Sequence, residues 1–217
     1  METLTFILSI IGAVAFSLSG AMLGVRKGLD LLGVLVVGTI TAVGGGVLRD
    51  ILLGILPPTM FSDPIYAFAA VLSAFLFFLI LYFSHPSIPD LDARMSKIIN
   101  VFDAIGLGIF CVVGTEVSMS AGHSDNAFLC IFLGVITGAG GGVIRDLLVR
   151  DIPMILRKHI YAVAAFLGSL LYYVSALIKI PSLSGTLICV AVVIVIRLLA
   201  AHYKWNLPRI QQPPDKE

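Results

Sequence analysis

The chain has 217 residues, 59% hydrophobic and 12% charged, against roughly 45–50% and 25% in soluble domains, which excludes an ordinary water-soluble fold. A net charge of only +1, with no basic patch interleaved by aromatics, excludes a nucleic-acid surface. The three cysteines, Cys111, Cys130 and Cys189, fall in apolar runs without ligand spacing, so neither a disulfide framework nor a metal site is expected.

Repeated apolar runs match the length that crosses a ~30 Å hydrocarbon core and predict an all-α integral membrane protein with seven transmembrane helices. In chain order the predicted spans are residues 3–25, 31–55, 64–84, 98–120, 126–149, 159–179 and 182–201. The first opens Met1-Glu2-Thr3 without a basic stretch, so it reads as a retained span and not as a cleaved signal peptide. The second and fifth each hold three consecutive glycines followed by charge: GGGVLRD from Gly44 to Asp50 and GGGVIRD from Gly140 to Asp146. With the N-terminus outside, 12 of the 14 Lys and Arg fall on the cytoplasmic side, and only Arg49 and Lys179 fall outside. The positive-inside rule therefore sets the N-terminus out and the C-terminus in. Residues 202–217 read as a flexible cytoplasmic tail.

The chain is a duplication. Residues 35–57 and 131–153 are identical at 11 of 23 aligned positions; IGAVAFSLSG from Ile11 matches IGLGIFCVVG from Ile105, and YAFAA from Tyr66 matches YAVAA from Tyr161. This divides the chain into a three-helix unit at 1–85, a second at 98–180, a seventh helix at 181–201 and the tail. Three spans are an odd number, so the second unit enters the membrane from the opposite side. Such inverted repeats place a path for an ion or solute at their interface, often beside discontinuous helices.

Each glycine within a helix costs about 0.8–1.0 kcal/mol relative to alanine, so two triads work against regular helix. At 1.5 Å per residue Gly44 lies ~20 Å into the second span and Gly140 ~22 Å into the fifth, both deep in the bilayer. One reading is close helix packing. The other, which better explains three glycines in succession, is a kink or unwound turn at Gly44, Gly45 and Gly46 and at Gly140, Gly141 and Gly142, opening a hydrated path. An Arg facing lipid there would cost at least ~2.5–3.5 kcal/mol, so Arg49, Asp50, Arg145 and Asp146 should face the interior and line or gate that path. Neighbours on a helix do not face each other, so each Arg should find its partner elsewhere than the adjacent Asp. Further candidate pore-lining residues are Ser17, Ser19, Thr41, Thr137, Asp103 and Glu116. Asp103 and Glu116 align with Ser9 and Met22, while Ser17 and Ser19 align with Cys111 and Val113, so the two halves line the path unequally. The threonines precede their triads by one turn, and either supply oxygens to the path or bond back to their own helix.

GAGGGV at Gly138 lacks the spacing of a dinucleotide fingerprint, no other catalytic motif occurs, and the four histidines are scattered, so no enzyme is expected. The GGGxxRD pair in the second and fifth of seven spans resembles the prokaryotic branch of the trimeric intracellular cation (TRIC) channel family, from about Ile7 to the end of the last span. That resemblance implies a homotrimer with one pore per protomer, permeant monovalent cations, chiefly K⁺ with Na⁺ also admitted, and no cofactor. Its glycine triads would kink the pore helices, with lipids and other copies of the chain as partners and the plasma (inner) membrane of a prokaryote as location. The same repeat unit is associated with bacterial proteins proposed to move glycine, so a secondary transporter of glycine or another small zwitterion is the alternative. A membrane subunit without any path is a third reading.

Overall fold

The structure is a computed structural model that describes residues 2–84, 88–157 and 160–205, with side chains for all of these except 2, 88–94 and 157. The expected tail beyond 205 lies outside the described residues, as do the side chains of Arg94, Arg157, Lys158, Arg209 and Lys216 that entered the charge count.

Polar or glycine-bearing breaks end each apolar run, and among the described residues the chain forms nine α-helices and no strand. These are α1 (Glu2–Arg26), α2 (Leu31–Leu52), α3 (Thr59–Ser62), α4 (Ile65–Ser84), α5 (Ile88–Ser118), α6 (Ala127–Leu148), α7 (Met154–Arg157), α8 (Tyr161–Leu177) and α9 (Ser182–His202). α5 continues into a π-helical turn, Met119–His123, where Gly122 takes φ 93° and reverses the chain. The starts of α2 and α6 are capped from the side: Asp30 accepts from the Gly33 amide at 2.7 Å and Asn126 from the Leu129 amide at 3.0 Å.

Among the described residues six helices are long and apolar enough to cross a membrane: α1, α2, α4, α5, α6 and α9. α8 is apolar but has 17 residues, about 25 Å at 1.5 Å each. Where the sequence predicts seven full spans, the structure thus supplies six and one shorter helix.

The spans expected to end at 55 and 149 both stop in the same way. Gly54 (φ 72°) and Arg150 (φ 58°) turn left-handed, while the Ile55 and Asp151 amides reach back to the Asp50 and Asp146 carbonyls at 2.8 Å each. This is the hydrogen-bond pattern of a Schellman stop. Short helices α3 and α7 follow, each after a proline.

Packing repeats with the sequence. α1, α2 and α4 pack on one another, α5, α6 and α8 do the same, and the two sets join through α1 on α5 and α2 on α6. α9 lies against α5 and α8. In α4 only Ala70 and Ala74 are buried, so its apolar outer face is left to lipid or to another chain. The main core gathers Phe16, Leu107, Val112, Tyr161, Ala164 and Val193 between the two sets.

The expectation of an unwound turn at the glycine triads is corrected here. α2 and α6 run as unbroken α-helix through Gly44–Gly46 and Gly140–Gly142, and none of the six glycines takes a positive φ.

Candidate functional site

The triads are the point where α2 and α6 cross. A Cβ on Gly45 would overlap the Thr137 carbonyl, and one on Gly141 would overlap the Thr41 carbonyl. These reciprocal contacts make the two helices antiparallel and bring their backbones together where a side chain has no room. The first glycine of each triad faces the opposite helix as well: a Cβ on Gly44 would stand 3.0 Å from Ile144 Cδ1, and one on Gly140 3.1 Å from Leu48 Cδ1. The third faces away from the crossing: a Cβ on Gly46 would make only an ordinary contact with Arg49 Nη2 at 3.9 Å, while one on Gly142 would stand 3.2 Å from the Tyr161 hydroxyl and 3.8 Å from Arg145 Nη2.

Each Arg folds onto its own neighbour, contrary to the expectation of distant partners only. Arg49 Nε and Nη2 donate to Asp50 Oδ1 at 2.9 and 2.6 Å; Arg145 Nε donates to Asp146 Oδ1 at 2.8 Å, and its Nη2 lies at the same distance. The rule about helix faces describes Cβ directions, and a long Arg stem curls past it. The second carboxylate oxygen holds the loop: Asp50 Oδ2 accepts from the Thr59 amide and Asp146 Oδ2 from the Met154 amide, both at 2.8 Å. Each Asp therefore bridges an arginine and the first residue of α3 or α7.

Two separate cavities flank the crossing. One, about 150 Å³, is lined by Thr5, Ser9, Gly46, Arg49, Asp50 and Tyr66 among others. The other, about 430 Å³, is lined by Arg26, Ser96, Asn100, Arg145, Asp146 and Asp151 among others. The Arg49 and Arg145 ends thus lie on opposite sides of the triads.

The ends differ in chemistry. Arg145 also donates to Ser19 Oγ at 2.7 Å and to Asp103 Oδ1 at 2.9 Å. Arg197, on α9, stands 3.7 Å from Asp103 Oδ2 and lies over the Tyr161 ring at 4.4 Å. Nearby, Lys27 pairs with Asp151 at 2.7 Å, joining the end of α1 to the end of α6. At the Arg49 end the aligned positions hold Ser9 for Asp103, Val113 for Ser19 and Tyr66 for Tyr161.

The remaining candidates are scattered. Thr41 and Thr137 donate to their own helices, at Val37 O and Leu133 O, both at 2.6 Å. Ser17 ties α1 to α4 through the Ala70 carbonyl at 2.6 Å. Glu116 is buried and accepts from Thr5 at 2.9 Å. None of these four lines either cavity. Sequence reasoning missed Arg197, which it counted as a cytoplasmic topology signal; an arginine within an apolar helix was signal enough to ask for its partner. It also passed over Tyr66 and Tyr161, although they head the two matching YAxAA stretches.

A family model described as "Glycine transporter" matches the chain twice, over residues 6–82 and 100–176. The inner membrane protein YadS of Escherichia coli strain K12, a UPF0126 protein, is 35% identical over 210 residues, covering 94% of this chain and 95% of that one. The chain belongs to the UPF0126 family. Like that relative, it is a multi-pass inner membrane protein. Its fold is shared with solved TRIC cation channels. One, solved to explain conductance, is 38% identical with a TM-score of 0.80, covering 95% of this chain and 97% of that chain. The TRIC trimeric intracellular cation channel orthologue from Rhodobacter sphaeroides is 30% identical with a TM-score of 0.84, covering 94% and 100%.

Proposed function

We propose that this UPF0126 protein is a monovalent cation channel, chiefly for K⁺, assembled as a homotrimer with one path in each protomer. The observation that carries the reading is the pair of cavities on opposite sides of the α2–α6 crossing, each walled by a charge-neutral Arg-Asp pair. An unpaired arginine would repel a cation; its carboxylate removes that barrier while leaving polar oxygens along the wall. The likeness to TRIC cation channels supports the same conclusion.

In this reading the two matched segments are inverted repeats of three spans each, α8 included, and α9 is the seventh. The N-terminus lies outside, the Arg49 cavity opens outward and the Arg145 cavity inward. The glycine crossing is the narrow point between them, and the exposed apolar face of α4 meets lipid or a neighbouring protomer. Purified protein in planar bilayers should give discrete current steps with a reversal potential that follows the K⁺ gradient. Saturable flux without current would overturn the channel reading.

A second reading is favoured by one feature: the two cavities are separate, as in a carrier that opens to one side at a time. A small zwitterion such as glycine would then offer its carboxylate to Arg49 and its ammonium to Asp50. That reading expects saturable, currentless glycine uptake that Arg49→Gln abolishes.

A further inference from the structure

Arg197 has no counterpart in the first repeat, since α9 stands outside the duplication. Its surroundings are unusual for a buried ion cluster. Arg145 and Arg197 face Asp103 and Asp146, two positive and two negative groups, all with side chains at most 4% exposed. The charges balance, yet the hydrogen bonds do not close. Asp103 Oδ1 is taken by Arg145, while Asp103 Oδ2 and Arg197 Nε have no hydrogen-bond partner. Arg197 Nη2 stops at 3.7 Å from Oδ2, short of a charge-assisted bond by less than about 1 Å. The buried Tyr161 hydroxyl likewise has no hydrogen-bond partner.

Buried groups left unsatisfied across so small a gap are costly, and a slight shift of Asp103 would relieve them at the expense of its bond to Arg145. We propose that Asp103 is a latch shared by the two arginines: held by Arg145 it closes the Arg145 cavity toward the crossing, and drawn to Arg197 it releases that arginine. Arg197 is thus a positioning residue for the path, acting through Asp103. The first repeat indicates what release produces. At the Arg49 end Ser9 stands where Asp103 would, Val113 stands where Ser19 would, and Arg49 pairs with Asp50 beside an open cavity. With Asp103 on Arg197, Arg145 keeps Asp146 and becomes the counterpart of Arg49.

This inference rests on a path running between the cavities, and the experiment separates the two ideas. Wild type, D103N, R197Q, R197K and the double variants D103N/R197Q and D103N/R197K are reconstituted, and both single-channel current and radiolabelled glycine uptake are recorded. R197Q leaves Asp103 on Arg145 and lowers open probability at least about fivefold, within the usual range of coupling between sites. R197K, which keeps the charge but loses the planar fork, falls between wild type and R197Q. D103N raises open probability, and both double variants match D103N, because Arg197 acts only through Asp103. Equal effects of the Arg197 variants with and without D103N, or none, overturn the latch. If R197Q does not fold, R197K carries the same comparison. A wild type that moves glycine without current overturns the channel reading alone, and the latch is then judged by the same pattern in uptake rates. A wild type that passes neither overturns both.

Discussion

Gly45→Ala should cost this protein about 3 kcal/mol or more and remove its transport activity, while Gly46→Ala, one residue on, should do neither. The added methyl at Gly45 meets the Thr137 carbonyl of α6, and backbone cannot swing aside as a side chain can. α2 and α6 must separate along the whole crossing, at or beyond the top of the 1–3 kcal/mol typical of overpacking. Gly141→Ala should behave alike through the Thr41 carbonyl. At Gly46 the nearest atom is Arg49 Nη2 at 3.9 Å, an ordinary contact, and alanine gains up to about 1 kcal/mol of helix propensity. Thermal unfolding in detergent, read beside the current, checks the contrast. Equal losses at Gly45 and Gly46 would mean that the triads matter through helix flexibility and not through the crossing.

That contrast shows where the sequence was legible. Each glycine could be priced against helix, and the doubled motif pointed to a special place in the fold. Their individual partners could not be seen, because a lone helix was weighed against one neighbour. In the folded chain three consecutive directions meet three different things: a side chain of α6, the backbone of α6, and the guanidinium of the same helix. The apolar runs marked the helices because burial in lipid depends on composition, which is local. Their ends were less legible. Residues 53–55 and 149 are apolar enough to extend a run, yet left-handed turns at Gly54 and Arg150 stop the helices after Leu52 and Leu148.

The charges divide in the same way. That Arg49 and Arg145 avoid lipid followed from the cost of exposing them there, and both are buried. Which carboxylate they would take did not follow, since it depends on how a long side chain curls and on the α3 and α7 amides that hold the other oxygen of each Asp. Arg197 shows the limit from the other side. Counted along the sequence it is one more cytoplasmic charge, but in the fold it is 3% exposed and meets Asp103 from the α9 helix.

The unequal neutralisation of the two ends sets the last expectation: Arg145→Ala should cost about 3–5 kcal/mol, the range for breaking a buried pair, and Arg49→Ala clearly less. Removing Arg145 strips Asp146 of its arginine and takes the nearest cation from Asp103, whose side chain is fully buried. Arg197, at 3.7 Å, can answer for only one of the two carboxylates. Removing Arg49 leaves a single carboxylate, Asp50, which keeps the Thr59 amide and borders a cavity that water can enter. The rescue follows from the first repeat. Asp103→Ser, which copies Ser9, takes away one orphaned charge and should recover part of the loss in Arg145→Ala, while doing nothing for Arg49→Ala. Unfolding of the three single and two double variants beside wild type in one detergent measures the coupling. If Arg49→Ala costs as much as Arg145→Ala, or if Asp103→Ser helps both equally, then the two ends carry the same electrostatic load and α9 adds nothing to the second.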